Sequence, residues 1–124
     1  MQIRESSFGG ALPVDGYGPG FFRVGGQVHE GGLLIQAEGG QSWAGLEDRA
    51  PLLALSGKVD VLFVGMGAEI ALLPRDFVAE LEAVGVFCEA MATPSAARSY
   101  NVLLSEGRRV AAALLPMPGA VPTA

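Results

Sequence analysis

The side chains of this chain that could do chemistry crowd into one short stretch, "ARSYNVLLSEGRRV". Arg98, Ser99, Tyr100, Asn101, Glu106, Arg108 and Arg109 all fall inside it. The planar fork of arginine pairs with carboxylates and its stem packs on apolar groups, so such a cluster suits a recognition surface. Catalysis asks for more: a nucleophile, a base within reach of it and a group to orient the base. The single histidine, His29, and the single cysteine, Cys88, come with no such context. A lone thiol in an apolar run is ordinarily a buried, inert one. One His and one Cys also fall short of the three or four soft ligands of a zinc-type site. The expectation is therefore no catalytic residue, no metal, no cofactor and no enzymatic activity.

A second place for chemistry lies at "VDVLFVGMG", where Gly65 and Gly67 follow an apolar run. Ligands of α/β sheets bind in the crevice beyond the carboxyl ends of the strands. The run lacks a third glycine and opens no helix directly, so the dinucleotide fingerprint fails and a glycine turn is the better reading. Thr93 heads a later helix whose N-terminus could hold an anion. A small-ligand or enzymatic site built from Gly65, Gly67, Thr93 and Arg98 is thus the rival to a recognition surface. Asp15, in "PVDGYGPG", suits a turn in which its carboxylate bonds to backbone. The aromatics Tyr17 and Trp43 serve packing and binding equally well.

The elements that must position these groups follow from patterning. "FFRV" (21–24) and "GLLIQAE" (32–38) read as strands with "QVHE" between them. Gly25-Gly26 and Gly31-Gly32 supply positive φ for turns, the first being the better hairpin. "GGQSW" (39–43) reads as a loop. "EDRAPLLALSG" is a short helix with Asp48 near its start, Pro51 in its first turn and Gly57 ending it. "VDVLFVG" (59–65) is a strand buried on both faces. Pro74 opens the next helix, with Asp76 in its first turn and Phe77, Leu81 and Val84 as its apolar stripe. "VFCEAM" (86–91) is a strand. A last helix has Thr93 as N-cap, Pro94 at its first position and Gly107 past its end. "RVAAALLP" closes the chain as a strand, and 117–124 is a tail expected to fray.

On the last helix, Ala96, Ala97, Tyr100, Leu103 and Leu104 share the core face. Arg98, Asn101 and Ser105 line the opposite side, flanked by Val102 and Glu106, with Ser99 at the boundary. That polar row reads either as a solvated face or as a contact surface. The order of elements predicts one α/β domain over 1–116, and right-handed crossovers favour parallel strands in its second half.

Totals narrow the class. Half of the 124 residues are apolar and 17% are charged, a globular composition. The net charge of −5 argues against binding nucleic acid or anionic membranes. The charge is uneven, however: residues 1–97 carry five basic and twelve acidic side chains, whereas 98–124 carry three arginines and one glutamate. One cysteine excludes an intrachain disulfide. "MQIRESSFGG" lacks the apolar core of a signal peptide, and no apolar run approaches the ~20 residues of a membrane helix. A cytoplasmic protein is expected, peripheral to the inner membrane only through a partner.

The series "YGPGFFRVGG…GGLLIQ…W", "VDVLFVGMG" and "TPSAARSYNVLLSEGRRVAAALLP" resembles a small family of unknown molecular function, along nearly the whole chain from Ile3 to Pro116. Its members include the mitochondrial complex I (NADH:ubiquinone oxidoreductase) assembly factor three, the adipogenesis-associated domain protein, and bacterial and archaeal hypothetical proteins. The resemblance implies three layers around a mixed five-stranded sheet whose last strand is central and antiparallel, joined by the N-terminal β-hairpin. It implies no known activity or cofactor, and a role through protein partners such as respiratory-complex subunits or assembly proteins. Contact candidates are then Arg98, Asn101, Arg108, Arg109 and Tyr17. Self-association through the apolar hairpin is a third reading.

Overall fold

The computed structural model describes residues 8–119. Residues 1–7, where no signal peptide is expected, and the last five of the expected tail lie outside them. Among the described residues, eight strands, and three helices of four residues or more, follow one another. A small antiparallel sheet comes first: β1 (Gly16–Gly18), β2 (Phe21–Val24) and β3 (Gln27–Glu30). The second sheet has five strands: β4 (Leu33–Gln36), β5 (Gly39–Ser42), β6 (Val61–Gly65), β7 (Cys88–Met91) and β8 (Val110–Leu114). The helices are α1 (Ala50–Leu53), α2 (Arg75–Glu82) and α3 (Thr93–Ser105).

The five strands lie in the order β5-β4-β8-β6-β7. The last strand is central. It runs antiparallel to β4 and parallel to β6, which is itself parallel to β7. The parallel arrangement expected for the second half therefore holds among β6, β7 and β8, and the antiparallel relation joins that half to the first. Side chains of β8 alternate between two cores, as a strand of period 2 must. Val110, Ala112 and Leu114 enter the core beneath α3 and the small sheet, with Phe22, Val24, Leu33, Ile35 and Tyr100. Ala111 and Ala113 enter the opposite core, with Leu52, Leu62, Phe77, Leu81 and Trp43. Three alanines in succession let both layers approach a strand buried along its full length.

Several local expectations are corrected. "GGQS" is a strand, the edge strand β5, and not a loop. It is held by its register with β4, and the Leu33 side chain fills the space a Cβ on Gly40 would take. Pairing, not β-propensity, makes this strand. Gly25 and Gly26 turn β2 into β3 with φ of 58° and 81°, as a type I′ hairpin turn requires. Only Gly31 of the next pair has positive φ; Gly32 is glycine because the Trp43 carbonyl lies where its Cβ would be. Val84 falls beyond α2 and is exposed, so only Phe77 and Leu81 form its buried stripe. Asp48 lies near the start of α1, as expected, two residues before its first helical residue. Its Oδ2 accepts the Ala44 N–H, and its carbonyl accepts the indole N–H of the buried Trp43. Met117 pairs with Pro19, and its carbonyl accepts the Gly20 N–H at 3.1 Å.

Arg49 ties the two helices of one layer together. Its guanidinium meets Asp76 at 3.1 Å and Glu80 at 3.0 Å and lies 5.3 Å from the centre of the Phe77 ring. Hydrogen bonding from Arg49, with its charge, holds the Asp76 carboxyl below its ordinary value. A carboxyl depressed in the folded state stabilises the fold above its unfolded pKa, and that contribution is lost as pH falls through the folded value. Melting temperatures followed below about pH 4 should therefore fall more steeply for the wild type than for Arg49→Gln. Parallel acid slopes would remove this pair from the acid response.

Candidate functional site

Helix α3 carries most of the candidate residues, and its two ends present them differently. Thr93 is the first helical residue rather than the cap; Ala92, in extended geometry, precedes it. Its side chain is fully buried. The hydroxyl donates to the Leu115 carbonyl at 2.7 Å and accepts the Gly67 N–H at 2.9 Å, while the Thr93 N–H donates to the Gly67 carbonyl at 2.7 Å. One residue thus joins the ends of β6 and β8 to the start of α3. A Cβ on Gly65 would stand 2.7 Å from that hydroxyl and 2.9 Å from a Leu114 methyl. The space at Gly65 is therefore taken by Thr93 and Leu114, and the Thr93 hydroxyl is bonded to backbone on both sides.

In the middle of α3, Tyr100 and Asn101 clamp the chain that leads into β1. The phenol donates to the Leu12 carbonyl at 2.8 Å. Asn101 accepts the Val14 N–H and donates to the Val14 carbonyl, both at 2.9 Å. Burial, with the Glu38 charge in second place, raises the Tyr100 pKa, so the phenol stays a protonated donor. Asn101 leaves the solvated row because its amide substitutes for a neighbouring strand. Arg98, on the same row, is exposed. With Tyr17 and Asn101 it lines a depression of about 250 Å³ between α3 and β1. Asp15 also lines it, and accepts the Gly25 N–H at 2.8 Å, the backbone role expected for a turn carboxylate.

The other end of α3 closes with two reversed hydrogen bonds, Gly107 N–H to Leu104 O and Arg108 N–H to Leu103 O, both at 3.0 Å. Gly107 sits at φ 78°, so this is a Schellman stop made possible by glycine. It projects Arg108 and Arg109 at the head of β8. Arg109 is engaged: it meets Asp60 at 2.8 Å and donates to the Gly57 carbonyl at 3.1 Å. Hydrogen bonding to Arg109 lowers the Asp60 pKa. Arg108 and Arg109 line a larger depression, about 470 Å³, together with Lys58. The candidates therefore form two patches, Arg98 and Asn101 at the middle of the 13-residue helix and Arg108 with Arg109 just past its C-terminal end. Lys58 was not singled out by sequence, for it is fifty residues from Arg108. Only the parallel pairing of β6 with β8 brings their leading ends together.

His29 and Cys88 lie in different sheets and make no pair. Burial, and secondarily the Glu82 charge, raises the Cys88 thiol to about 11. Alkylation at pH 8 should be roughly a hundredfold slower in the folded protein than in urea, since the thiolate is the nucleophile. Equal rates would show a thiol ionised by something other than its surroundings here. Among the described residues no cluster of His, Cys, Asp and Glu could hold a metal ion, and no helix is long and apolar enough to cross a membrane.

The fold is a mixed five-stranded sheet between two helices on one face and a helix with a small antiparallel sheet on the other, and its neighbours among solved structures include a Mth938-like domain. The chain is similar to a solution structure from Bordetella pertussis described as a Mth938-like domain. The TM-score is 0.75 and the identity 29%, with 94% of this chain and 90% of that one covered. Residues 14–115 match the family described as protein of unknown function (DUF498/DUF598), and the chain belongs to that family. An uncharacterised protein of Rhodobacter capsulatus is 67% identical over 124 residues, all of both chains. The NADH dehydrogenase [ubiquinone] 1 alpha subcomplex assembly factor 3 of Danio rerio is 30% identical over 125 residues, covering 95% of this chain and 72% of the relative.

Proposed function

We propose that this protein is a non-enzymatic assembly factor, a chaperone-like domain that works by holding protein partners. The observation that carries this reading is the 30% identity to the zebrafish assembly factor along 95% of the chain. The partners would be respiratory-complex subunits or other assembly proteins, met in the cytoplasm or at the inner membrane. The exposed cation of Arg98 beside Tyr17 supplies a contact of the kind enriched at protein interfaces, where arginine and tyrosine recur. Arg108 supplies another. At the rival location for a small-ligand or enzymatic site, the Thr93 hydroxyl is committed to the Gly67 N–H and the Leu115 carbonyl, which favours the partner-binding reading.

The test is complementation in Rhodobacter capsulatus lacking its 67%-identical relative. Loss of membrane NADH:quinone activity, restored by this chain but not by its Arg98→Glu/Arg108→Glu form, is the expected result. Unchanged activity in the deletion strain would overturn the assembly role. Full rescue by the charge-reversed form would overturn the surface.

A further inference from the structure

The geometry points to a ligand site in the depression at the C-terminal end of α3: it binds an aliphatic carboxylate, one acid head on one hydrocarbon tail. The hollow measures about 470 Å³, within the range of small-molecule sites. Its lining includes apolar side chains, Phe8, Ala11 and the buried Leu104 and Val110, together with the exposed cations Lys58 and Arg108. Arg109 is engaged with Asp60, whereas Lys58 and Arg108 have no ion pair among the described residues. The Schellman bonds also occupy the Leu103 and Leu104 carbonyls, which reduces their opposition to an incoming anion. Among the described lining residues Glu38 is the one carboxylate; it disfavours a second negative group and so selects a monoacid over a diacid.

An inorganic anion would leave the apolar lining wet, and a neutral hydrocarbon would leave both cations unused. A concave hollow of this size also suits a small molecule better than the broad surface of a protein partner. The site shares Arg108 with the proposed partner surface but does not include Arg98, so Arg98→Glu should weaken partner binding and leave the ligand unaffected.

The experiment titrates the ¹⁵N-labelled full chain with hexanoate, octanoate and decanoate below their micellar concentrations, with decylamine as control. Amide shifts should centre on Ala11, Gly107 and Val110. Affinity should rise about fourfold per added methylene until the apolar lining is covered. The variant Lys58→Gln/Arg108→Gln should bind at least about tenfold more weakly while its spectrum stays dispersed, in line with loss of a charge-assisted pair. Affinity that ignores chain length or the double substitution would overturn the assignment. So would shifts centred elsewhere, or decylamine binding as well as decanoate. Binding of a leucine-ended acidic peptide without binding of decanoate would overturn it too, and give the hollow to a protein contact.

Discussion

Tyr100→Ala should destabilise the fold by about 3–5 kcal/mol, the range for truncating a large buried aromatic. Tyr100 is among the largest fully buried side chains, and it packs between β8, β4 and the small sheet. Its hydroxyl holds the Leu12 carbonyl, and the Leu12 N–H in turn donates to Ala37 at 3.0 Å. Tyr100→Phe isolates that polar link and should lose about 1–2 kcal/mol. Asn101→Ala should lose about 2–4 kcal/mol, because both backbone groups of Val14 are left without partners where Val14 itself is only 6% exposed. Asn101→Asp sharpens the test: its carboxylate still accepts the Val14 N–H but opposes the Val14 carbonyl. It should be no more stable than the alanine form. Urea unfolding with unchanged m-values gives these differences. An Asn101→Ala protein as stable as the wild type would mean the clamp contributes nothing.

Thr93→Val, nearly isosteric, should lose about 2–4 kcal/mol. It keeps the shape of the side chain but strips partners from the Gly67 N–H and the Leu115 carbonyl at a site closed to water. Thr93→Ser keeps the hydroxyl and should recover most of the loss. Gly65→Val drives carbon into the same space and should be at least as harmful as ordinary overpacking, about 1–3 kcal/mol. The two substitutions share one contact, so the double variant should lose less than the sum of the singles. Thermal or urea denaturation of the four proteins decides this. Strict additivity would show that Thr93 and Gly65 act separately.

Much of this architecture was legible because period and small residues speak for themselves. "VAAALL" reads as a strand closely packed on both faces, and Gly107 as a helix stop. The resemblance then placed that strand at the centre. β5 was illegible because "GGQS" has no strand propensity of its own and is made by its neighbour. The site was legible as a list of residues and illegible as a surface. A helical wheel places Asn101 beside Arg98 on a wet face, but it cannot see the Val14 backbone that arrives from eighty-seven residues away. It likewise cannot tell that Arg109 faces Asp60, or that Lys58 joins Arg108. Such contacts follow from strand order, which local pattern does not encode.

The position of β8 bears on synthesis. β4 with β5, and β6 with β7, are separate pairs until β8 enters between them. A nascent chain stopped before Val110 therefore has two half-sheets, each showing an unpaired apolar edge, the Leu33–Ile35 side of one and the Leu62–Val64 side of the other. Such edges invite pairing with other chains. The native sheet can close only after β8 has left the ribosome, so a product truncated before Val110 is prone to aggregate.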